Sequence, residues 1–126
     1  MRANEFLQDE NKKEIIRDFI KFCRQSLKLD DKLPKIKFSA DTKDTRENHR
    51  MGYFDPNQDF IWIYVGNRNM ADILRTLCHE LVHTQQRMQN RIGNDTSPDS
   101  DIEKEADMVA GQMLKIYGKQ NRGIYD

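Results

Sequence analysis

The chain is predicted to fold as an α+β domain: an N-terminal helix, a small three-stranded sheet with a β-hairpin, a motif helix and a C-terminal helix. Two observations predict this. Apolar residues recur at the 3.6-residue period of a helix in three stretches, and between the first two of these the pattern shortens to short runs bounded by turn residues. At 126 residues the chain, read as one domain over 1–126, is large enough for one core and too small for two.

The elements follow in order. Ile15, Ile16, Phe19, Ile20, Cys23 and Leu27 form one stripe of a helix over about residues 4–28, which Leu33-Pro34 breaks. Lys35-Ile36-Lys37-Phe38-Ser39 alternates polar and apolar, as a half-buried strand does. The polar stretch 41–48 reads as a mobile loop. Arg50–Phe54 and Asp59–Val65 flank Asp55-Pro56-Asn57-Gln58, a turn sequence, and so read as a hairpin. Met70, Ile73, Leu74, Leu77, Cys78, Leu81 and Val82 set up a helix of roughly 20 residues. Its N-cap is Asn67 or Asn69, and Gly93 is expected as its stop. The last helix starts at Ser97-Pro98-Asp99-Ser100, carries Ile102, Ala106, Val109, Met113, Ile116 and Tyr117 on its apolar side, and is expected to end at Gly118. Residues 119–126 read as a flexible tail.

Composition narrows the function classes. Lys plus Arg equals Asp plus Glu, 21 each, so no electrostatic argument favours nucleic acid or a membrane surface. No apolar run approaches the length of a membrane span, and the first residues lack the apolar stretch of a signal peptide. Cys23 and Cys78 occupy core positions of helices, which suggests a reducing compartment without disulfides; a cytoplasmic location is expected.

The chemistry is concentrated in His79-Glu80-Leu81-Val82-His83. Two histidines four apart stand one turn above each other on one helix face, so both imidazoles can reach a single ion. Glu80 beside them is the carboxylate base that a zinc hydrolase needs next to an open coordination position. A third protein ligand is required, and no histidine follows His83. His49 lies in a polar stretch and reads as solvated. Cys78 points roughly 100° away around the helix. The third ligand is therefore sought among Asp101, Glu103, Glu105 and Asp107 of the last helix. Ser100 and Glu103 have the spacing of a capping box, which gives Glu103 a structural task. Glu105 lies beside the apolar face next to small Ala106 and is the expected ligand, with Glu103 second. Asp107 is placed to orient a ligand from behind.

His79-Glu80-Leu81-Val82-His83, followed 22 residues later by Glu105-Ala106-Asp107, resembles the gluzincin class of zinc peptidases. More narrowly, it is similar to the small peptidases of the ImmA/IrrE type. The resemblance covers roughly residues 60–117 and rests on about six positions. It implies a minimal zincin-like fold, one zinc ion held by His79, His83 and Glu105, Glu80 as general base, and a protein or peptide as substrate. The larger gluzincins carry an Asp four residues after the third ligand; counted from Glu105, that place holds Val109. In such enzymes the strand before the motif helix resembles an edge strand that pairs with an extended peptide, here Phe60 to Val65, although side-chain pattern alone does not decide which strand is the edge. No oxyanion-stabilising residue stands at a familiar spacing; Arg122 or Tyr125 of the tail could supply one. The alternative reading is a zinc-stabilised binding or regulatory module without proteolysis.

Overall fold

The computed structural model describes residues 8–30, 32–43, 50–92 and 100–125. The elements run α1 (Glu10–Ser26), β1 (Lys35–Ser39), β2 (Gly52–Asp55), β3 (Phe60–Tyr64), α2 (Met70–Met88), α3 (Asp101–Gln120) and a short 3-10 turn (Arg122–Tyr125). The predicted α+β order is thus present. The predicted helix start at residues 4–7, loop residues 44–48, His49, Gly93 and Ser97-Pro98-Asp99 lie outside the described residues.

Each element is set by local chemistry. Asp9 caps α1 by accepting from the Lys12 backbone N–H at 3.1 Å, and its apolar stripe buries Ile16, Phe19 and Cys23. The hairpin turn is held by the Asp55 carboxylate, which accepts from the N–H groups of Asn57 at 2.9 Å and Gln58 at 3.3 Å. Of the two candidate caps of α2, Asn69 is the one used, accepting from the Asp72 N–H at 2.9 Å. The helix ends at Met88, and Asn90, at φ 56°, supplies the left-handed residue past its end, a role asparagine takes at low cost.

The sheet is mixed, in the order β1-β3-β2. β1 runs parallel to β3 with Ile36 opposite Ile61; β2 runs antiparallel to it with Tyr53 opposite Trp62. This corrects one expectation: β3 is the central strand, paired on both sides, and is no edge. Its sequence carries the reason. Ile61, Ile63 and Val65 are fully buried against the helices, while Trp62 and Tyr64 are buried on the opposite face, so the strand is apolar on both sides, as interior strands are. On that opposite face Tyr53, Trp62 and Tyr64 stack in a row, with centroids 5.6 and 6.3 Å apart. The strand left at the edge beside α2 is β2.

The core joins α1, β3, α2, α3 and the terminal turn through Phe19, Ile61, Ile63, Leu74, Leu77, Leu81, Ala110 and Ile124. Arg68 locks the entry to α2, donating to Tyr64 O (2.8 Å), Asp72 O (3.1 Å) and Thr76 Oγ1 (2.6 Å). Two features of the C-terminus differ from the sequence reading. Gly118 lies inside α3, buried where a Cβ would overlap the Tyr125 ring; glycine here admits a close approach and does not stop the helix. Of the tail expected to be flexible, residues 119–120 continue α3, Arg122–Tyr125 form the 3-10 turn and Ile124 is 1% exposed in the core; residue 126 lies outside the described residues. Among the described residues, no helix is long and apolar enough to cross a membrane.

Candidate metal centre

The middle of α2 and the first turns of α3 face each other, and the chemistry-bearing side chains meet there. His79 and His83, one turn apart, present their rings edge to face with centroids 4.8 Å apart, and their Nε2 atoms lie 3.1 Å apart. The carboxylate of Glu103 spans both: Oε2 is 3.0 Å from His79 Nε2, and Oε1 is 3.0 Å from His83 Nε2. His79, His83 and Glu103 therefore form a group that could hold a metal ion.

Glu105, the expected third ligand, is not in this group. Its Oε2 accepts from Arg91 Nη2 at 2.8 Å and its Oε1 from Gln86 Nε2 at 3.0 Å. The guanidinium first, and then the Gln86 amide, hold this carboxyl below the usual glutamate range. Helix phase explains the exchange. The buried stripe of α3 is Ala106, Ala110, Met113 and Tyr117; Val109 is only half-buried and Ile116 is exposed. Extended backwards, that stripe passes through 103, three residues before Ala106, while 105 lies two residues and about 200° away from it. Giving Val109 and Ile116 the weight of core residues rotated the sequence reading towards Glu105. Glu103 does occupy the third turn-position of a capped start, since Ser100 Oγ accepts from its N–H at 3.3 Å. Its side chain nevertheless goes to the histidines. Counted from Glu103, the residue four places on is Asp107, and Asp107 Oδ1 is 2.9 Å from His79 Nδ1. The orienting role expected for Asp107 has this contact behind it, and the apparent gap at Val109 disappears.

The hydrogen-bonding roles follow from the partners. Asp107 presents an acceptor to His79 Nδ1 and Glu103 presents one to its Nε2, so a neutral ring, with one N–H, can satisfy only one of the two. His83 is placed alike, with Gln86 Oε1 2.7 Å from Nδ1 and Glu103 Oε1 3.0 Å from Nε2. With both Nδ1 atoms donating to Asp107 and Gln86, two bare Nε2 atoms and two carboxylate oxygens would converge at 3.0–3.1 Å with no donor among them. Acceptors packed so closely repel unless a cation lies between them. Zinc bonds of 2.0–2.1 Å at tetrahedral angles place ligand atoms about 3.3 Å apart, close to the spacing here. The donor set fits zinc.

Glu80 stands beside this group, 5% exposed, at the floor of a cleft of about 250 Å³ lined also by Met51, Gly52, Arg75, Thr76, His79 and Asp107. Burial, and then the negative charge of Glu103, push its carboxyl up to about 8; Arg50 opposes this and Asp107 adds to it. Gly52 opens the cleft on the β2 side: a Cβ there would come within 2.7 Å of Thr76 Cγ2 and 3.1 Å of Trp62 O, so glycine lets the edge strand close on α2.

Several expectations end elsewhere. Cys78 and Cys23 are buried free thiols in the core, and burial, with Cys78 alongside, pushes the Cys23 thiol up. Tyr125 lies over Gly118, fifteen residues and about 22 Å along α3 from Glu103, so Tyr125 does not bring an oxyanion donor to the cleft. The residue the sequence reading missed is Gln86. Its signal was present: it lies three places after His83 and seven after His79, on the same helix face. No family model, no curated protein and no solved structure matches the chain.

Proposed function

We propose that this chain is a zinc-dependent metallopeptidase, with His79, His83 and Glu103 as the ligands and Glu80 as the general base. The observation that carries the reading is the convergence of His79 Nε2, His83 Nε2 and both Glu103 oxygens, with a further acceptor at the Nδ1 of each ring. A purely structural site needs no further carboxylate; the presence of Glu80 in the cleft wall favours catalysis over the alternative of a zinc-stabilised binding module.

When bound, zinc supplies a Lewis acid that polarises a carbonyl and makes a water nucleophilic near neutral pH. The chain's own residues do the rest. Glu80, enclosed beside the ligands, would be ionised once a cation's charge offsets its burial and the charge of Glu103; it then accepts a proton from the attacking water and returns it to the nitrogen of the departing amine. Asp107 and Gln86 hold the two imidazoles with Nε2 turned inward. β2, which among the described residues pairs with β3 alone, offers backbone groups beside the cleft on which an extended peptide can add as a strand. Met51 and Ala110 give the cleft its apolar contacts, and Arg75 its positive charge.

The test is metal content and hydrolysis on the same preparations. Wild type takes up one zinc and cleaves an unfolded protein substrate, while Glu80→Gln keeps the zinc and loses cleavage by two to four orders of magnitude, the usual range for a lost acid–base group. Undiminished cleavage in Glu80→Gln would remove Glu80 from its role. A folded wild type that takes up no zinc would remove the centre itself.

A further inference from the structure

Gln86 is fully buried, and the direction in which its amide points can be fixed from its partners. One end lies 3.0 Å from the Ile102 carbonyl oxygen and 3.0 Å from Glu105 Oε1. Both of those atoms only accept, so this end is the NH2 group, and both of its protons are used. The other end is therefore the carbonyl oxygen, and it faces His83 Nδ1 at 2.7 Å. A carbonyl cannot donate, so His83 has to donate to it. Glu105 is held in turn by Arg91, so a chain of hydrogen bonds runs His83–Gln86–Glu105–Arg91, from α2 to α3 and on to the segment just past α2.

The two histidines are thus held by unlike means. The partner of His79 is the carboxylate of Asp107, whose side chain is 68% exposed; water can replace it. The partner of His83 is a neutral amide with no access to water, anchored by two bonds to the turn of α3 that also carries Glu103. An imidazole that lost this acceptor would be free to place its proton on Nε2, where Glu103 Oε1 lies 3.0 Å away and can receive it. That tautomer cannot bind a metal through Nε2.

We infer that Gln86 is a positioning residue of the centre: it locks His83 in the tautomer with a bare Nε2 and ties Glu103's turn of α3 to α2 at ligand distance. The inference rests on the metal-centre reading above, and it assigns Glu105 and Arg91 a task as the outer anchor of Gln86.

The test uses ring nitrogen chemical shifts of the 15N-labelled, metal-free full chain at a pH where the imidazoles are neutral, together with zinc affinity by chelator competition. In wild type, His83 carries its proton on Nδ1. In Gln86→Leu the proton moves to Nε2 and zinc affinity falls 10- to 100-fold, the range for loss of a partner behind a ligand. Gln86→Glu alone buries a carboxylate against Glu105 and also weakens zinc. Adding Glu105→Gln restores a donor between positions 86 and 105 and keeps an acceptor opposite His83, while the Ile102 carbonyl still faces an acceptor, so part of the affinity returns. Nε2 protonation in wild type, or an unchanged tautomer and affinity in a folded Gln86→Leu, would overturn the inference. Should Gln86→Leu not fold, the wild-type tautomer and the paired exchange decide. The tautomer is read without metal, so failure of wild type to bind zinc overturns the metal reading while leaving this measurement intact.

Discussion

The two ends of α3 are built on opposite principles. At its C-terminal end Tyr117, 4% exposed, meets Phe19 edge to face at 5.0 Å and donates its hydroxyl to Asp18 Oδ2 at 2.6 Å. Apolar surface is matched with apolar surface, and a donor with an acceptor. At its N-terminal end Glu103 brings two acceptor oxygens to the Nε2 atoms of two histidines, and Glu80 lies buried with its charge opposed by that of Glu103. The first end holds the fold together. The second gathers groups that a cation would stabilise, at a cost to the metal-free fold in the buried carboxyl of Glu80.

The largest effect expected from this contrast is the response to zinc. At a zinc concentration 1,000 times the dissociation constant, the native state gains about 4 kcal/mol by mass action. Calorimetry should show the unfolding temperature of wild type rising with zinc, no rise in Glu103→Ala, and a smaller but clear rise in Glu105→Ala. The reverse order for the two glutamates would return Glu105 to the ligand set and cancel the contrast between the two ends of α3.

The same contrast explains what was legible in the sequence. Periodicity was enough for the three long helices and three strands of the described residues, because Phe19, Leu74, Leu77 and Ile61 obey their periods without conflict; the terminal 3-10 turn carries no such period. The two histidines and Glu80 were legible because their spacing lies within one helix. The third carboxylate depends on the rotation of α3 about its own axis, which packing sets to within a fraction of a residue. Glu103 and Glu105 differ by two residues, and a stripe drawn through Val109 and Ile116 suffices to choose the wrong one. Edge and centre of the sheet were equally hidden: β3 takes the centre through pairing with β1, 25 residues away in register. Gln86 was passed over because a polar residue on a polar half-helix carries no mark of burial.

Next in size is the pH dependence of Glu80. Its carboxyl is raised from the ordinary value of 4.5 to about 8, so over that window the metal-free native state keeps a proton that the unfolded chain has released. Stability is therefore fully present below pH 4.5 and falls as pH rises towards 8, by up to about 1.4 kcal/mol per unit. Glu80→Gln removes the slope, so the metal-free variant should be more stable than wild type at pH 8 by a few kcal/mol and nearly equal to it at pH 4.5. Urea titrations of the chelated proteins at the two pH values measure this. A variant no more stable than wild type at pH 8 would mean that Glu80 lies at no electrostatic cost, and the N-terminal end of α3 would lose half of its distinction.

The smallest effect belongs to the other end. Tyr117→Phe keeps the ring packed between Phe19 and Phe22 and removes only the hydroxyl bond to Asp18, whose carboxylate is solvent-exposed and can rehydrate. The expected loss is about 1 kcal/mol, with zinc affinity unchanged, since nothing in the His79–His83–Glu103 group touches this end of the helix. Burial, and then the bond to Asp18, raise the Tyr117 hydroxyl above its usual 10.0, so the native state holds this proton where the unfolded chain loses it. Wild-type stability should be insensitive to this group below pH 10 and decline above it, a decline the variant does not share. A change in zinc affinity in Tyr117→Phe would show that the two ends communicate through α3, and that the helix cannot be divided into a part that folds and a part that binds.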